Sequence, residues 1–121
     1  MRVHNFKELK VWQKGIELCK LIYEICAEFP TQEKYALKSQ IERSAVSIPS
    51  NIAEGCGRIG NKEFQHFLSI ANGSAYELET QLILAKEFGY IKNEKFIEFN
   101  LLISEIEKMI FSLYNSLSTQ K

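Results

Sequence analysis

The sequence predicts an all-α protein that folds as an antiparallel, up-down-up-down four-helix bundle. Four segments carry apolar residues at helical spacing, no segment alternates as a half-buried strand does, and three short punctuated breaks separate the segments. Helices of similar length joined by short loops pack side by side, each reversing direction. With 121 residues, of which 45% are hydrophobic and 2 are Pro, the chain is expected to form a single domain over residues 1–121.

The first predicted helix extends from about Phe6 to Phe29. Asn5 and Glu8 have the N-cap and N3 spacing of a capping box, and Pro30 cannot continue a helix. The face expected to pack into the core carries Leu9, Trp12, Ile16, Cys19, Tyr23 and Cys26.

The second predicted helix begins near Thr31 and ends at Gly55 and Gly57. Its core stripe comprises Leu37, Ile41, Ala45, Ile48 and Ile52. Pro49 removes one backbone donor and leaves the carbonyl of Ala45 without its usual partner, so a kink is expected there. The polar side chains able to bond freed backbone groups are Ser44, Ser47, Ser50 and Asn51. The alternative is that two separate helices meet at the proline.

Asn61 is expected to cap the third helix, which carries Phe64 through Phe88 and stops at a left-handed Gly89. The fourth helix is predicted from Asn93 to about Leu117. The core stripe of the third helix comprises Phe64, Phe67, Leu68, Ala71, Ala75, Leu78 and Leu82, and that of the fourth comprises Phe96, Phe99, Ile103, Ile106, Ile110, Leu113 and Leu117.

A second apolar row on the first helix predicts self-association. Val11, Leu18 and Ile25 recur every seven residues with Leu21 beside them, and a lone bundle would leave such a row in water. The fourth helix also has apolar residues off its core face, at Ile97, Leu101 and Phe111. The alternative is that these are scattered exposed hydrophobic residues, which are normal on any protein. We expect a homo-oligomer whose candidate interface comprises Val11, Leu18, Leu21 and Ile25.

Two polar surfaces are candidates for binding a partner. On the second helix and the following turn a stripe comprises Gln40, Arg43, Ser47, Asn51, Glu54 and Arg58. Its alternative interpretation is a solvated face or a network that satisfies the groups freed by Pro49. The first helix begins with a candidate basic patch at Lys7, Lys10 and Lys14, near Arg2 and Lys20. The formal net charge is zero, so attraction for RNA would have to come from such a local patch.

No catalytic, cofactor or metal site is predicted. A di-iron bundle needs two Glu-x-x-His motifs, and only Glu63 with His66 has that spacing. A small enzyme using Glu54, Cys56 and His66 is the less favoured alternative, because no third group is evident to orient a Cys/His pair.

The cysteines and the N-terminus bear on the compartment. Cys19 and Cys26 lie one heptad apart among apolar residues, where core thiols are expected. The chain opens with polar residues, and no stretch approaches the roughly 18 apolar residues of a membrane span. We expect a cytoplasmic protein that does not bind membranes.

The motifs also carry a family resemblance. The run RSAVSIPSNIAEG at 43–55, with LKVW at 9–12, FP at 29–30, FLSIANGS at 67–74 and ELE at 77–79, resembles the bacterial four-helix bundle family named after proteins encoded in intervening sequences of 23S ribosomal RNA genes. The resemblance implies an up-down bundle and a ring-shaped homopentamer. The family is also similar to the accessory proteins of diversity-generating retroelements, which bind a reverse transcriptase and nucleic acid.

The resemblance brings no catalytic residues. The sequence is therefore interpreted as a non-enzymatic, homo-oligomeric scaffold or adaptor, with five copies expected. The alternative is an RNA-binding accessory protein that acts with a nucleic-acid enzyme such as a reverse transcriptase.

Overall fold

The computed structural model describes residues 5–33 and 36–118, and these form four α-helices with two short 3₁₀ turns and no strand. The helices are α1 (Lys10–Cys26), α2 (Leu37–Cys56), α3 (Asn61–Glu87) and α4 (Asn93–Ser118), and the turns span Phe6–Glu8 and Thr31–Glu33. The predicted all-α class and its four helices are confirmed. None of the described helices is long and apolar enough to cross a lipid bilayer.

Contacts between neighbouring helices fix their antiparallel order. Moving forward along one helix matches moving backward along the next, as expected for an up-down bundle. The contacting pairs are Gly15 with Pro49 and Cys19 with Ala45, Ser44 with Glu77 and Ser47 with Ser74, and Asn61 with Leu117 and Gln65 with Tyr114. A salt bridge of 3.5 Å between Lys14 and Glu105 joins α1 to α4, which closes the bundle.

The first helix is shorter than predicted. Asn5 does act as a cap, and its side chain accepts a hydrogen bond of 3.0 Å from the backbone N–H of Lys7, but it caps only a 3₁₀ turn. Leu9 then has extended backbone angles, with φ −72° and ψ 125°, so the α-helix begins at Lys10. A helix cannot run through an extended residue, and α1 is left with 17 residues.

The second helix also begins later than predicted, at Leu37 instead of Thr31, which belongs to a 3₁₀ turn. It continues unbroken through Pro49, so the alternative of two helices is wrong. The bend expected at the proline stays a prediction. Similar lengths for all four helices are not found, because α1 and α2 have 17 and 20 residues and α3 and α4 have 27 and 26.

The boundaries of the last two helices are close to those predicted. Gly60, with φ 98°, is the N-cap of α3, so the prediction that Asn61 fills that position is wrong. The Asn61 amide instead donates to the carbonyl of Leu117 at 3.3 Å. Gly89 has φ 81°, which confirms the left-handed residue after α3. The fourth helix starts at Asn93 as expected.

The core follows the predicted stripes on three helices. All five stripe residues of α2 are buried, and on α3 and α4 only Phe67, Phe96 and Leu113 are partly exposed. On α1 the prediction is wrong for all but Cys26. The buried row there is Val11, Gly15, Leu18, Ile22 and Cys26. Tyr23 is exposed, and the other four residues expected to be inside are half-buried: Leu9, Trp12, Ile16 and Cys19.

Gly15 explains why α1 is rotated about its axis relative to the predicted orientation. A Cβ atom at this position would lie 3.2 Å from Cβ of Pro49, so the absence of a side chain lets α1 approach α2 at the proline. A glycine adds nothing to an apolar pattern, yet the contact turns Val11 and Leu18 inward. Trp12 and Tyr23 lie towards the edge of the packed face, where an aromatic ring keeps one side in water.

Candidate functional site

Hydrogen bonds between α2 and α3 account for part of the predicted polar stripe. The hydroxyl groups of Ser47 and Ser74 lie 2.8 Å apart. The Asn51 amide donates to the carbonyl and the hydroxyl oxygen of Ser47, at 2.8 and 2.9 Å. Ser47 therefore links α2 to α3, and Asn51 holds Ser47 from the next turn of α2.

The end of the stripe forms an exposed charge cluster at the turn between α2 and α3. Arg58 pairs with Glu54 at 2.6 Å and lies 3.9 Å from Glu63. Its guanidinium carbon also lies 4.7 Å from the ring centroid of Phe67. Because these charges satisfy one another in solvent, each pair contributes at most about 1 kcal/mol to stability.

The beginning of the stripe borders an open groove with a volume of about 580 Å³. We call this the α2–α3 groove, and it is lined by Tyr23, Gln40, Arg43, Ser44, Val46, Ser47, Glu77 and Gln81. The structure thus divides the six predicted stripe residues. Gln40, Arg43 and Ser47 border the groove, and Asn51 bonds Ser47. Glu54 lies in the last turn of α2 and Arg58 in the turn that follows.

Three polar groups of the groove have unused hydrogen-bonding capacity. No carboxylate among the described side chains lies within 4.0 Å of the Arg43 guanidinium. Glu77 accepts one bond of 3.2 Å, from the Ser44 hydroxyl to Oε1. Gln81 is only 8% exposed, and its shielded Oε1 atom has no hydrogen-bond partner. Buried polar atoms of this kind are rare in folded proteins.

Five residues of the groove lie outside the predicted stripe: Tyr23, Ser44, Val46, Glu77 and Gln81. Helical spacing predicts Tyr23 in the core. Glu77 and Gln81 follow Ser74 at steps of three and four residues on α3, so helical spacing places them on one side of that helix. That polar row was the available signal. It becomes meaningful only once the antiparallel register sets it beside Ser44.

The predicted basic patch is only partly free. Lys14 forms the salt bridge with Glu105, and Lys7 lies 5.9 Å from the ring centroid of Phe6. Lys10 is exposed at the start of α1. Arg2, which was grouped with them, lies outside the described residues. Lys7 and Lys10 are the members without an ion pair among the described side chains.

The predicted oligomer interface on α1 is wrong for two of its four residues. Val11 is 4% exposed and Leu18 is 0% exposed within the single chain, so neither can contact another copy. Heptad spacing is equally the spacing of a row inside a bundle, and the contact at Gly15 turns this row inward. Leu21 and Ile25 retain exposed surface and border a hollow of about 260 Å³ with Phe99 of α4.

The apolar residues off the core face of α4 are exposed as predicted. Ile97 is 49% exposed, Leu101 68% and Phe111 63%. On a helical wheel these three lie opposite the buried row that includes Ile103 and Ile106. We call them the outer row of α4.

The cysteines carry no activated thiol. Burial raises the pKa of Cys19 to about 11, that of Cys26 to about 12 and that of Cys56 to about 11. At neutral pH all three are protonated, and the thiolate is the nucleophilic form. The Cys56 and His66 alternative therefore lacks the electrostatic environment that a nucleophile needs. Among the described residues, no group of three or more His, Cys, Asp or Glu side chains is placed to hold a metal ion.

An acid pair between α3 and α4 was not predicted. Burial, the charge of Glu79 and a hydrogen bond to Glu79 together raise the pKa of Glu107 to about 7. The Oε2 atom of Glu107 is shielded and has no partner. The Glu107 carboxyl therefore titrates near neutral pH.

Most of the chain matches the model of a known protein family. The family model of the 23S rRNA-intervening sequence protein matches residues 7–112. The chain belongs to this family. The match includes every residue that lines the α2–α3 groove and the outer row of α4. The family resemblance expected from the SIPSNIAEG motif is confirmed.

The chain is also similar to a solved structure with the same fold. That structure is a protein of unknown function from the S23 ribosomal protein family of Bacteroides thetaiotaomicron, with 29% sequence identity and a TM-score of 0.81. The alignment covers 87% of this chain and 95% of that chain. No curated protein matches the chain significantly.

Proposed function

We propose that this member of the 23S rRNA-intervening sequence protein family is a non-catalytic, homo-oligomeric scaffold whose copies associate through the outer row of α4. The observation that carries the proposal is the exposure of three large apolar side chains on one side of that helix, Ile97, Leu101 and Phe111. They extend over roughly 21 Å at 1.5 Å per residue. An apolar row of this length in water favours burial against a protein surface.

A second copy of the chain is the proposed occupant of this surface. Residues near the row on α4 carry both signs of charge, with Lys95 and Glu98 paired at 3.3 Å and Lys108 exposed between Leu101 and Phe111. The charge of the whole chain is also zero, so copies do not repel one another strongly. Five copies are proposed, as the family resemblance implies.

Light scattering coupled to size exclusion tests the proposal with Leu101→Glu. The wild type is expected to elute as an oligomer, at about 70 kDa for five copies of a 14.0 kDa chain. The variant is expected to elute near 14.0 kDa with unchanged helical circular dichroism, because Leu101 makes no contribution to the core. Ile59→Glu, in the exposed turn before α3, is the matched control and should remain oligomeric. A wild type that elutes as a monomer at every concentration overturns the proposal.

Nucleic-acid binding is the second candidate function, as an accessory to a nucleic-acid enzyme. Lys7 and Lys10 favour it, because both are exposed and neither has an ion pair among the described side chains. Lys7 lies in the 3₁₀ turn before α1, and Lys10 is the first residue of α1. In an oligomer the pair would be repeated, and phosphate contacts from several copies would add.

Fluorescence anisotropy with a labelled RNA hairpin tests this second candidate. Replacing Lys7 and Lys10 together with Ala should weaken binding and reduce the slope of log K against log salt by about 2 per bound chain. Lys92→Ala, in the turn between α3 and α4, is the control and should leave the slope unchanged. No detectable binding at low salt would rule out the nucleic-acid role.

A further inference from the structure

We propose that the α2–α3 groove binds a guanine base, with Glu77 and Gln81 accepting hydrogen bonds from one edge of the base and Arg43 donating to another. The proposal goes beyond the scaffold function and uses a different surface. The groove lies on α2 and α3, whereas the outer row belongs to α4. Its volume of about 580 Å³ is within the range of small-molecule sites.

The acceptor side of the groove is formed by α3. The hydroxyl of Ser44 donates to Oε1 of Glu77 at 3.2 Å, which holds the carboxylate at the groove. Each carboxylate oxygen has two lone pairs, so both oxygens can still accept from a ligand. Gln81 lies one turn further along α3, about 6 Å away along the axis. Its Oε1 atom has no partner, and the last torsion of a glutamine amide is soft. A donor in the groove can therefore draw this oxygen into a hydrogen bond.

The donor side is formed by Arg43 of α2. Its guanidinium has no carboxylate within 4.0 Å among the described side chains, although Glu77 lines the same groove. A guanidinium presents a planar fork of N–H donors that matches two adjacent acceptors. The most common specific contact of this fork with a base is to O6 and N7 of guanine.

This pairing of groups distinguishes guanine from the other bases. Guanine carries two adjacent N–H donors on its Watson–Crick edge, which a carboxylate accepts as a pair, and its remaining amino hydrogen can reach Gln81. Adenine and cytosine each place an acceptor nitrogen on that edge, opposite the carboxylate, and uracil offers one donor between two carbonyl oxygens. The exposed ring of Tyr23, which lines the same groove, offers a face on which a base can stack.

Two sources can supply the base: a free guanine nucleotide or an unpaired guanine in RNA. The groove is open along one side, so the sugar and phosphate of either source can remain in solvent. Both sources present the same edges to Glu77, Gln81 and Arg43. The experiment therefore includes an arm for each.

Isothermal titration of the full-length protein with GMP, AMP, CMP and UMP tests the proposal, together with two uridine hexanucleotides that differ by one central guanine. We expect GMP, or the guanine-containing hexanucleotide, to bind at least about tenfold more tightly than its counterparts. If only the hexanucleotide with guanine binds, RNA is the source. Equal affinity for all nucleotides, or no binding in either arm, overturns the proposal.

Substitutions of groove residues test whether guanine binds in the α2–α3 groove. Glu77→Gln keeps an oxygen that can accept from Ser44, so the fold is retained, but it replaces a paired acceptor with one oxygen and one amide. We expect this change and Arg43→Ala each to weaken guanine binding at least about tenfold. Glu87→Gln, at the exposed end of α3, is the control and should bind as the wild type does. Guanine binding that survives both groove substitutions would place it elsewhere and overturn the proposal.

Discussion

At the scale of single residues, a side chain of α1 satisfies the backbone carbonyl of α2 that Pro49 leaves unpaired. The proline leaves the carbonyl of Ala45 without a helical donor, and the Cys19 thiol donates to that oxygen at 3.2 Å. The sequence predicted the freed carbonyl and suggested the polar residues of α2 as partners for such groups. It could not predict the donor, because Cys19 belongs to another helix and reaches Ala45 only through the close approach at Gly15.

Replacing Cys19 tests this hydrogen bond. Cys19→Ala should lower the free energy of unfolding by about 1 kcal/mol more than Cys56→Ala, because it also leaves the Ala45 carbonyl unpaired. Both cysteines are half-buried and packed against the core, so the loss of sulfur contacts is similar. Urea denaturation of the two variants measures the difference. Equal losses would show that the thiol acts only by filling space.

Glu107 makes stability depend on pH. Its pKa is raised from 4.5 to about 7, so between these values the folded chain holds a proton that the unfolded chain releases. The free energy of unfolding therefore falls as pH rises through this interval, and this contribution is fully lost above pH 7.

The substitution Glu107→Gln should remove the dependence. The variant should be more stable than the wild type at pH 8 and similar to it near pH 4.5, as measured by thermal unfolding at both values. Glu17→Gln, an exposed position on α1, should show no such difference between the two pH values. If Glu107→Gln destabilises the protein at pH 8, the carboxylate is stabilising and the account of the acid pair is wrong.

At the scale of helices, α1 is the one whose buried face the apolar pattern did not predict. The apolar stripes of α2, α3 and α4 are continuous rows of side chains, and their burial follows from helical spacing. On α1 two apolar rows compete, and the position that decides between them is a glycine. Because Gly15 contributes no side chain, its contact with Pro49 becomes visible only in three dimensions.

The orientation of α1 predicts different losses of stability for two neighbouring leucines. Leu18→Ala should lower the free energy of unfolding by about 2–5 kcal/mol because Leu18 is fully buried, and Leu18→Glu should unfold the bundle. Leu21→Ala should lower the free energy of unfolding by less than about 1 kcal/mol, since Leu21 retains exposed surface. Chemical denaturation of both alanine variants measures this. The reverse order would mean that α1 is rotated from the orientation described here.

At the scale of the whole molecule, antiparallel register assembles the candidate site from parts that the sequence shows separately. The predicted stripe on α2 supplied Gln40, Arg43 and Ser47, but Glu77 and Gln81 come from α3. Sequence reasoning identified one wall of the groove because helical spacing is local. The opposite wall depends on which turn of α3 faces Ser44, and only tertiary packing determines that.

Self-association likewise belongs to the whole molecule. The expectation of an oligomer was first based on Val11 and Leu18, which the fold buries within one chain. The proposed interface is instead the outer row of α4, whose exposed apolar surface the single bundle does not cover. This change of surface leaves the proposed scaffold function intact and moves its interface from α1 to α4.

Sedimentation velocity of the wild-type protein over a hundredfold range of concentration tests the scaffold proposal most directly. We predict one oligomeric species at high concentration, near the mass of five chains, which Leu101→Glu converts to single chains that remain helical. A lone species of 14.0 kDa across the whole range would contradict the account.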